Sequence, residues 1–162
     1  MIRIIGIGAP FGDDAVGLEV ARVLAERPPP GCEIIAADRP GLGLIDLLDG
    51  IEGAILIDAV RSGALPGTVH ELSFAQLARA GGRFISSHEL GVAGSIKLAR
   101  QLERAPARGG MLGIEVTAVM RGAPYSRLTP HVRRAVRQVE LRVRSWVEEL
   151  LSPPALPGTE ED

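Results

Sequence analysis

Short runs of β-branched and aliphatic residues alternate along this chain with longer segments whose apolar residues recur at helical spacing. This alternation is typical of a mostly parallel sheet with helices on both faces, because parallel strands need crossover connections and are buried on both sides. The sequence therefore predicts an α/β fold, a three-layer sandwich with a twisted, mostly parallel sheet of about five strands. The predicted strands are Ile2 to Ile7, Glu33 to Ala37, Ala54 to Ala59, Thr68 to Leu72 at an edge, and Ile114 to Val119.

Helical segments are predicted between these strands from the spacing of apolar residues and from helix-end signals. Ser86, with Glu89 three residues later, has the pattern of a capping box and opens the fourth of these helices. The predicted helices are Val16 to Leu24, Leu44 to Leu48, Phe74 to Ala80, Ser86 to Arg104, and Thr129 to Leu151.

The size and hydrophobic content of the chain fit one core. With 162 residues, of which 46% are hydrophobic, the chain can bury one good core and not two. We therefore expect a single domain over residues 1–151. The tail, residues 152–162, holds three prolines and ends in acidic residues, so it is predicted to be disordered.

Charge and cysteine content exclude several classes of partner and compartment. A net charge of -2, from 18 basic and 20 acidic residues, argues against binding to nucleic acid or to an anionic membrane surface. The single cysteine, Cys32, excludes an internal disulfide, and the apolar run Met1 to Ile5 is too short for a signal peptide or a membrane span. We expect a cytoplasmic protein, and a monomer.

A glycine-rich turn after the first predicted strand carries two carboxylates, Asp13 and Asp14, at the start of the next helix. A helix N-terminus normally favours an anion such as phosphate. Two adjacent carboxylates would repel a pyrophosphate, whereas they suit hydrogen bonds to helix amides, acid–base work or a metal ion. The turn therefore indicates a cation rather than a phosphate.

Three aspartates follow predicted strands, where the carboxyl ends of a parallel sheet form a ligand crevice. Asp14 follows the first strand, Asp38 the second, and Asp58 the apolar run Ala54 to Ile57. Burying Asp58 beside aliphatic residues is costly unless something pairs with it, which makes it the most informative of the three. Simpler roles are open for Asp58, which could cap the turn after its strand, and for Asp38, which could be a turn residue. One of the Asp13 and Asp14 pair is expected only to cap the helix.

Of the three histidines, only His88 lies at a suggestive position, in the first turn of the helix predicted to begin at Ser86. The positive end of a helix disfavours imidazolium, which leaves the ring available as a ligand or a base. His70 and His131 are expected to be solvated surface residues. Two carboxylates and one imidazole suit a divalent transition metal, and so small a ligand set indicates a site that a substrate completes.

The order and spacing of these motifs resemble the hydrogenase maturation endopeptidases over nearly the whole chain. Individually the motifs are weak, but together they are fairly specific. The residues that carry the resemblance are Gly6-Ile7-Gly8, Gly12-Asp13-Asp14, Gly17, Asp38, Leu56-Ile57-Asp58-Ala59, Pro66-Gly67-Thr68, Ser87-His88-Glu89-Leu90-Gly91, Gly113-Ile114-Glu115 and Leu128-Thr129-Pro130.

The resemblance implies an endopeptidase that removes the C-terminal extension from the large-subunit precursor of a nickel-iron hydrogenase once nickel is inserted. It implies that Asp14, Asp58 and His88 contact the metal, which is nickel held mainly by the precursor, and that Asp38 and Asp14 serve catalysis. The chain departs from the family in two respects: Ala9 stands where the family usually has asparagine, and the turn before the acidic pair is one residue shorter.

Two other functions fit parts of the pattern. A non-catalytic, metal-dependent assembly chaperone for a hydrogenase-like subunit could use the same carboxylates and histidine. A dinucleotide-binding domain is suggested by Gly6 and Gly8, but Phe11 stands where its third glycine belongs. Whether a bound metal or an aspartate would activate water is left open by the sequence.

Overall fold

The computed structural model describes residues 1–80, 91–117 and 127–152. Within these residues a five-stranded sheet has the order β2-β1-β3-β5-β4, in which all neighbouring strands are parallel except β4 and β5. The predicted fold class is confirmed, with an antiparallel strand at one edge. The strands are β1 (Ile2–Gly8), β2 (Cys32–Asp38), β3 (Gly53–Val60), β4 (Val69–Ser73) and β5 (Arg108–Glu115).

Among the described residues, five α-helices cover the sheet, and a short 3₁₀ helix (Gly12–Ala15) in the glycine turn precedes the first of them. The helix α3 begins with a capping box, in which Ser73 and Gln76 bond each other's backbone N–H groups. The helices are α1 (Val16–Glu26), α2 (Gly43–Leu48), α3 (Phe74–Arg79), α4 (Val92–Gln101) and α5 (Pro130–Leu151).

The sheet separates two apolar layers, because side chains of each strand alternate between its faces. Ile55 and Ile57 of β3 pack with α1 and α5, whereas Leu56 of the same strand packs with α2, α3 and α4. All eight residues of β3 are buried. Each fully buried aliphatic side chain of this kind contributes about 1.5–3 kcal/mol to stability, so β3 contributes strongly to the folding free energy.

Two glycines set how closely α1 lies against the sheet. A Cβ at Gly17 would overlap the carbonyl oxygens of Ile7 and Ile57, and a Cβ at Gly6 would overlap the carbonyl oxygen of Gly17. Only glycine permits this approach of helix backbone to strand backbone. The spacing of these glycines therefore serves helix–sheet packing, and the start of α1 is held over the ends of β1 and β3.

Two predicted elements differ from the structure. The last strand was predicted at Ile114 to Val119, but β5 begins six residues earlier and ends at Glu115. The helix predicted from Ser86 begins at Val92 and is preceded by Gly91, whose ψ of 164° is not helical. Residues 81–90, which include the predicted capping box and His88, lie outside the described residues, as do residues 153–162 of the predicted tail.

Candidate active site

The strand order places a crevice at the carboxyl ends of β1 and β3. From β1 the chain crosses over to β2 on one side, and β3 lies on the other side of β1. Connections that leave neighbouring strands in opposite directions open a gap between them, and ligands of α/β sheets bind there. Asp14 follows β1, and Asp58 lies near the end of β3, so two of the predicted site residues border this gap.

Asp58 is buried inside β3, two residues before the end of the strand, with an exposed fraction of 3%. Its Oδ1 accepts a hydrogen bond of 2.8 Å from the backbone N–H of Ala59, whereas its Oδ2 has no hydrogen-bond partner among the described residues. Burial, together with the nearby charge of Asp14, raises the pKa of Asp58 to about 8. A buried carboxyl oxygen without a partner is unfavourable in the free protein and suits a ligand that brings a positive charge.

Asp14 lies in the 3₁₀ helix and forms a partly buried ion pair. Its Oδ1 accepts a hydrogen bond of 2.7 Å from Nη2 of Arg61, the residue that follows β3. The two side chains are 14% and 22% exposed. Because both Asp14 and Arg61 affect the pKa of Asp58, the three charged groups form one electrostatic cluster in the crevice.

Asp13 has a structural partner in a distant part of the chain. Its two carboxylate oxygens accept hydrogen bonds from the backbone N–H and the hydroxyl of Thr129, at 2.7 and 2.8 Å, and Thr129 is the residue before α5. No side-chain hydrogen bond caps the N-terminus of α1 or of the 3₁₀ helix. The expectation that one of this pair only caps its helix is therefore wrong: Asp13 joins the glycine turn to α5.

Asp38 is placed apart from this cluster. It is the last residue of β2, which is separated from β3 by β1, so about 10 Å lies between the two strands. Ala37 packs on the α2–α4 side of the sheet, the side of Leu56 and therefore of Asp58, and strand alternation directs Asp38 to the other side. The exposed Asp38 carboxylate pairs with Arg39 at 2.6 Å.

His88 lies outside the described residues, so the structure does not test its place in the site. The next described element along the chain is α4, whose first residue, Val92, packs on the same side of the sheet as Asp58. Ser95 in the first turn of α4 donates a hydrogen bond of 3.3 Å to the carbonyl of Gly41, in the loop after β2. Within the described ranges no group of three or more histidine, cysteine, aspartate and glutamate side chains could hold a metal ion.

Glu115, the last residue of β5, organises the loop after β3, a role that the sequence analysis missed. Its buried carboxylate accepts hydrogen bonds from the N–H and hydroxyl of Ser62 (both 2.8 Å) and from the N–H of Gly63 (3.0 Å), and lies 3.0 Å from Nε2 of His70. Burial alone would raise the pKa of Glu115, but these hydrogen bonds lower it below its usual value.

This arrangement argues against one alternative left open by the sequence and corrects one prediction. The turn after β3 is held by Glu115, so Asp58 is not its capping residue. His70 is not a solvated surface residue, because its ring lies against Glu115 and is 22% exposed. A glutamate that ends an apolar strand carries the same signal of costly burial as Asp58, and that signal could have identified Glu115.

A groove between α1 and α5 opens on the other side of the sheet and has a volume of about 680 Å³. Pro10 and Gly12 of the glycine turn line one part of it, and Leu18 and Val136 are among its apolar residues. Neither Asp14 nor Asp58 is among the described residues that line the groove. The carboxylate cluster and the groove are therefore separate features.

Comparison with protein families gives a match over most of the chain. The family model HycI, described as hydrogenase maturation protease, matches residues 18–146. The chain belongs to this family. The resemblance stated from the motifs is confirmed, and the match begins within α1, just after the glycine turn, and ends within α5. No curated protein gives a significant match to the chain.

Solved structures of hydrogenase maturation proteases have the same fold. The hydrogenase maturating endopeptidase HybD from E. coli is 23% identical, with a TM-score of 0.76 over 91% of this chain and 92% of HybD. The [NiFe] hydrogenase maturation protease HybD from Thermococcus kodakarensis is 22% identical, with a TM-score of 0.68 over 89% and 97% of the two chains. At these identities the comparison supports the fold.

Proposed function

We propose that this protein is an endopeptidase that removes the C-terminal extension from the large-subunit precursor of a nickel-iron hydrogenase after nickel insertion. Membership of the hydrogenase maturation protease family supports a peptidase. The observation that carries the proposal for this chain is the buried Oδ2 of Asp58, which has no hydrogen-bond partner among the described residues and lies near the charge of Asp14 at the carboxyl edge of the sheet.

In this proposal the nickel is part of the substrate. Asp14 and Asp58 supply oxygen ligands and His88 supplies a nitrogen ligand to a nickel ion that the precursor already holds. Three side chains are too few to hold the ion tightly, so useful affinity arises only when the precursor provides the remaining ligands. Recognition of nickel and docking of the cleavage site are then one event, which gives the reaction its proximity.

The chemistry that remains for the protein is the activation of a water molecule. A carboxylate accepts a proton from the water, the water oxygen attacks the carbonyl carbon of the scissile bond, and the proton then passes to the leaving amine. Polarisation of the water by the nickel that the precursor holds is the second route. Asp14 borders the crevice, whereas Asp38 lies two strands from Asp58 and faces the other side of the sheet, so the geometry favours Asp14 as the base.

The second candidate, a non-catalytic assembly chaperone, would use the same cluster to hold the maturing subunit. It predicts binding of the precursor without release of its extension. The protease family of the chain favours the peptidase over this candidate. We further propose that the protein acts in the cytoplasm as a monomer. No helix in the described ranges is long and apolar enough to cross a membrane.

The decisive experiment compares nickel-loaded and nickel-free precursor as substrates, with cleavage followed by gel shift. We expect cleavage of the loaded precursor only, and no rescue when nickel is added to a precursor that lacks its complete centre. Equal cleavage of both forms would mean that the peptide is recognised by its sequence. Binding without cleavage would support the chaperone.

Variants assign the roles within the same assay. We expect D14N, D58N and H88A to abolish cleavage and to remain folded, as judged by circular dichroism. D38N tests the other catalytic residue predicted from the sequence, and cleavage at the normal rate by D38N would remove Asp38 from the mechanism. Loss of cleavage in D38N but not in D14N would contradict the assignment of the base to Asp14.

A further inference from the structure

Arg61 already supplies a positive charge to the carboxylate that is proposed to meet the nickel. Its Nη2 lies 2.7 Å from Oδ1 of Asp14, and the pair is mostly shielded from solvent. A guanidinium stays protonated over the whole accessible pH range, so this cation cannot leave by losing its proton. Because like charges repel, a second cation approaches that oxygen most readily when the Arg61 side chain moves away.

The backbone around Arg61 is fixed independently of this ion pair. The next two residues, Ser62 and Gly63, donate their N–H groups to Glu115, and the carbonyl of Val60 accepts from the N–H of Val116. The long side chain of Arg61 can therefore leave Asp14 while the loop stays in place. The exchange of cations on Asp14 needs no rearrangement of the fold.

We propose that Arg61 is a specificity-determining residue, a resident counter-cation that must be displaced from Asp14 before nickel can bind. This inference rests on the proposed function of the same site. A free divalent ion must break the ion pair and remain near a displaced positive charge, at a site with few ligands of its own. Nickel presented by the precursor arrives with further protein contacts that offset this cost. Arg61 thus keeps free ions out of the site and reserves it for the loaded precursor.

The test is calorimetric titration of the free protein with Ni²⁺ alone, in wild type and in R61Q. The variant keeps a polar side chain and removes the charge, and we expect it to bind Ni²⁺ at least about tenfold more tightly than wild type. R61K keeps a cation at this position and should bind like wild type. R104Q is the matched control, because Arg104 also pairs with aspartates, Asp46 and Asp49, outside the crevice.

The double variant R61Q/D14N identifies the carboxylate: it should lose the gain in affinity shown by R61Q. Thermal unfolding confirms that each variant is folded, and R61M replaces R61Q if the latter is not. The inference is overturned if R61Q binds Ni²⁺ no more tightly than wild type, including the case in which neither binds, or if R104Q gains as much. These outcomes are distinct from those of the cleavage assay. Equal cleavage of the nickel-loaded and nickel-free precursors would overturn the proposed function.

Discussion

At the scale of single residues, the free protein holds Asp58 in an environment that opposes its charge. Among the described residues its Oδ2 has no hydrogen-bond partner, and the carboxylate is stabilised by the backbone N–H of Ala59 and by the nearby charge of Arg61. With a pKa of about 8, the carboxyl group is mostly protonated at neutral pH. The group is thus kept as an acid that loses its proton when a cation arrives.

This environment predicts a pH dependence of stability that D58N removes. The folded-state pKa is raised above the unfolded value, so between about pH 4 and pH 8 the folded state binds more protons and the free energy of unfolding falls as pH rises. The slope for this one group is at most about 1.4 kcal/mol per pH unit. Urea denaturation at pH 5 and pH 8, without added metal, should show D58N gaining stability relative to wild type at the higher pH. Parallel profiles for the two proteins would contradict the raised pKa.

Asp13 and Asp14 show how far neighbouring residues of one type can differ in role. Asp13 is held by Thr129, whereas Asp14 faces Arg61 and the crevice. The sequence places both residues in the turn after β1. The partner of Asp13 is 116 residues away along the chain, and the partner of Asp14 is 47 residues away. Partners at that distance depend on tertiary packing, which a local pattern does not contain.

At the scale of secondary-structure elements, β5 controls the site through its last residue. Glu115 connects β5 to the loop after β3, and that loop carries Arg61. We therefore expect E115A to loosen this loop more than it loosens the sheet. Removing a buried acceptor of several hydrogen bonds leaves their donors unpaired, at a cost of about 1–3 kcal/mol for each unpaired group.

The measurement is amide hydrogen exchange at Ser62 and Gly63, together with urea denaturation. Exchange at these two amides should accelerate in E115A. The amide of Ile57 inside β3 should stay protected from exchange, because we expect the loss of global stability to be moderate. E140A is the matched control, because Glu140 is also buried and is bonded by Arg137 and Arg144 on α5. Equal acceleration at Ser62 in both variants would mean that the loop reports only on global stability.

Most elements could be predicted from hydrophobic pattern alone, and β5 shows where that fails. Its first half contains Gly109 and Gly110, which have low strand propensity. A Cβ at Gly109 or Gly110 would overlap the backbone of Ala54 or Leu72, so glycine is required by the strands on either side. The reason for these glycines is a tertiary contact, and the prediction therefore began too late, at Ile114.

At the scale of the whole molecule, exposed apolar side chains surround the proposed site. Phe11, Leu42 and Leu65 lie in the loops that follow β1, β2 and β3, and are 49%, 49% and 80% exposed. Connections after parallel strands meet at one edge of the sheet, so these three side chains share the edge that carries Asp14 and Asp58. Apolar groups around a polar centre are typical of a surface that another protein covers.

We expect L65S to weaken cleavage of the precursor without loss of stability. Because Leu65 is 80% exposed, its removal should change the free energy of unfolding by no more than about 0.5 kcal/mol. If the precursor covers this edge, kcat/KM should fall by about tenfold, chiefly through KM. L141S, on the exposed side of α5, is the control, since Leu141 is 52% exposed and lies away from these loops. Equal losses in both variants would contradict docking at this edge.

The position of β5 between β3 and β4 also has a consequence for the order in which the molecule is completed. In the described sheet β4 is bonded to β5 alone, yet β4 leaves the ribosome before it. The backbone of residues 69–73 therefore lacks its strand partner until residues 108–115 have been synthesised. Because the same strand ends in Glu115, the loop that bears Arg61 can be fixed only then. A nascent chain therefore cannot hold Arg61 in the arrangement described above until β5 has been synthesised.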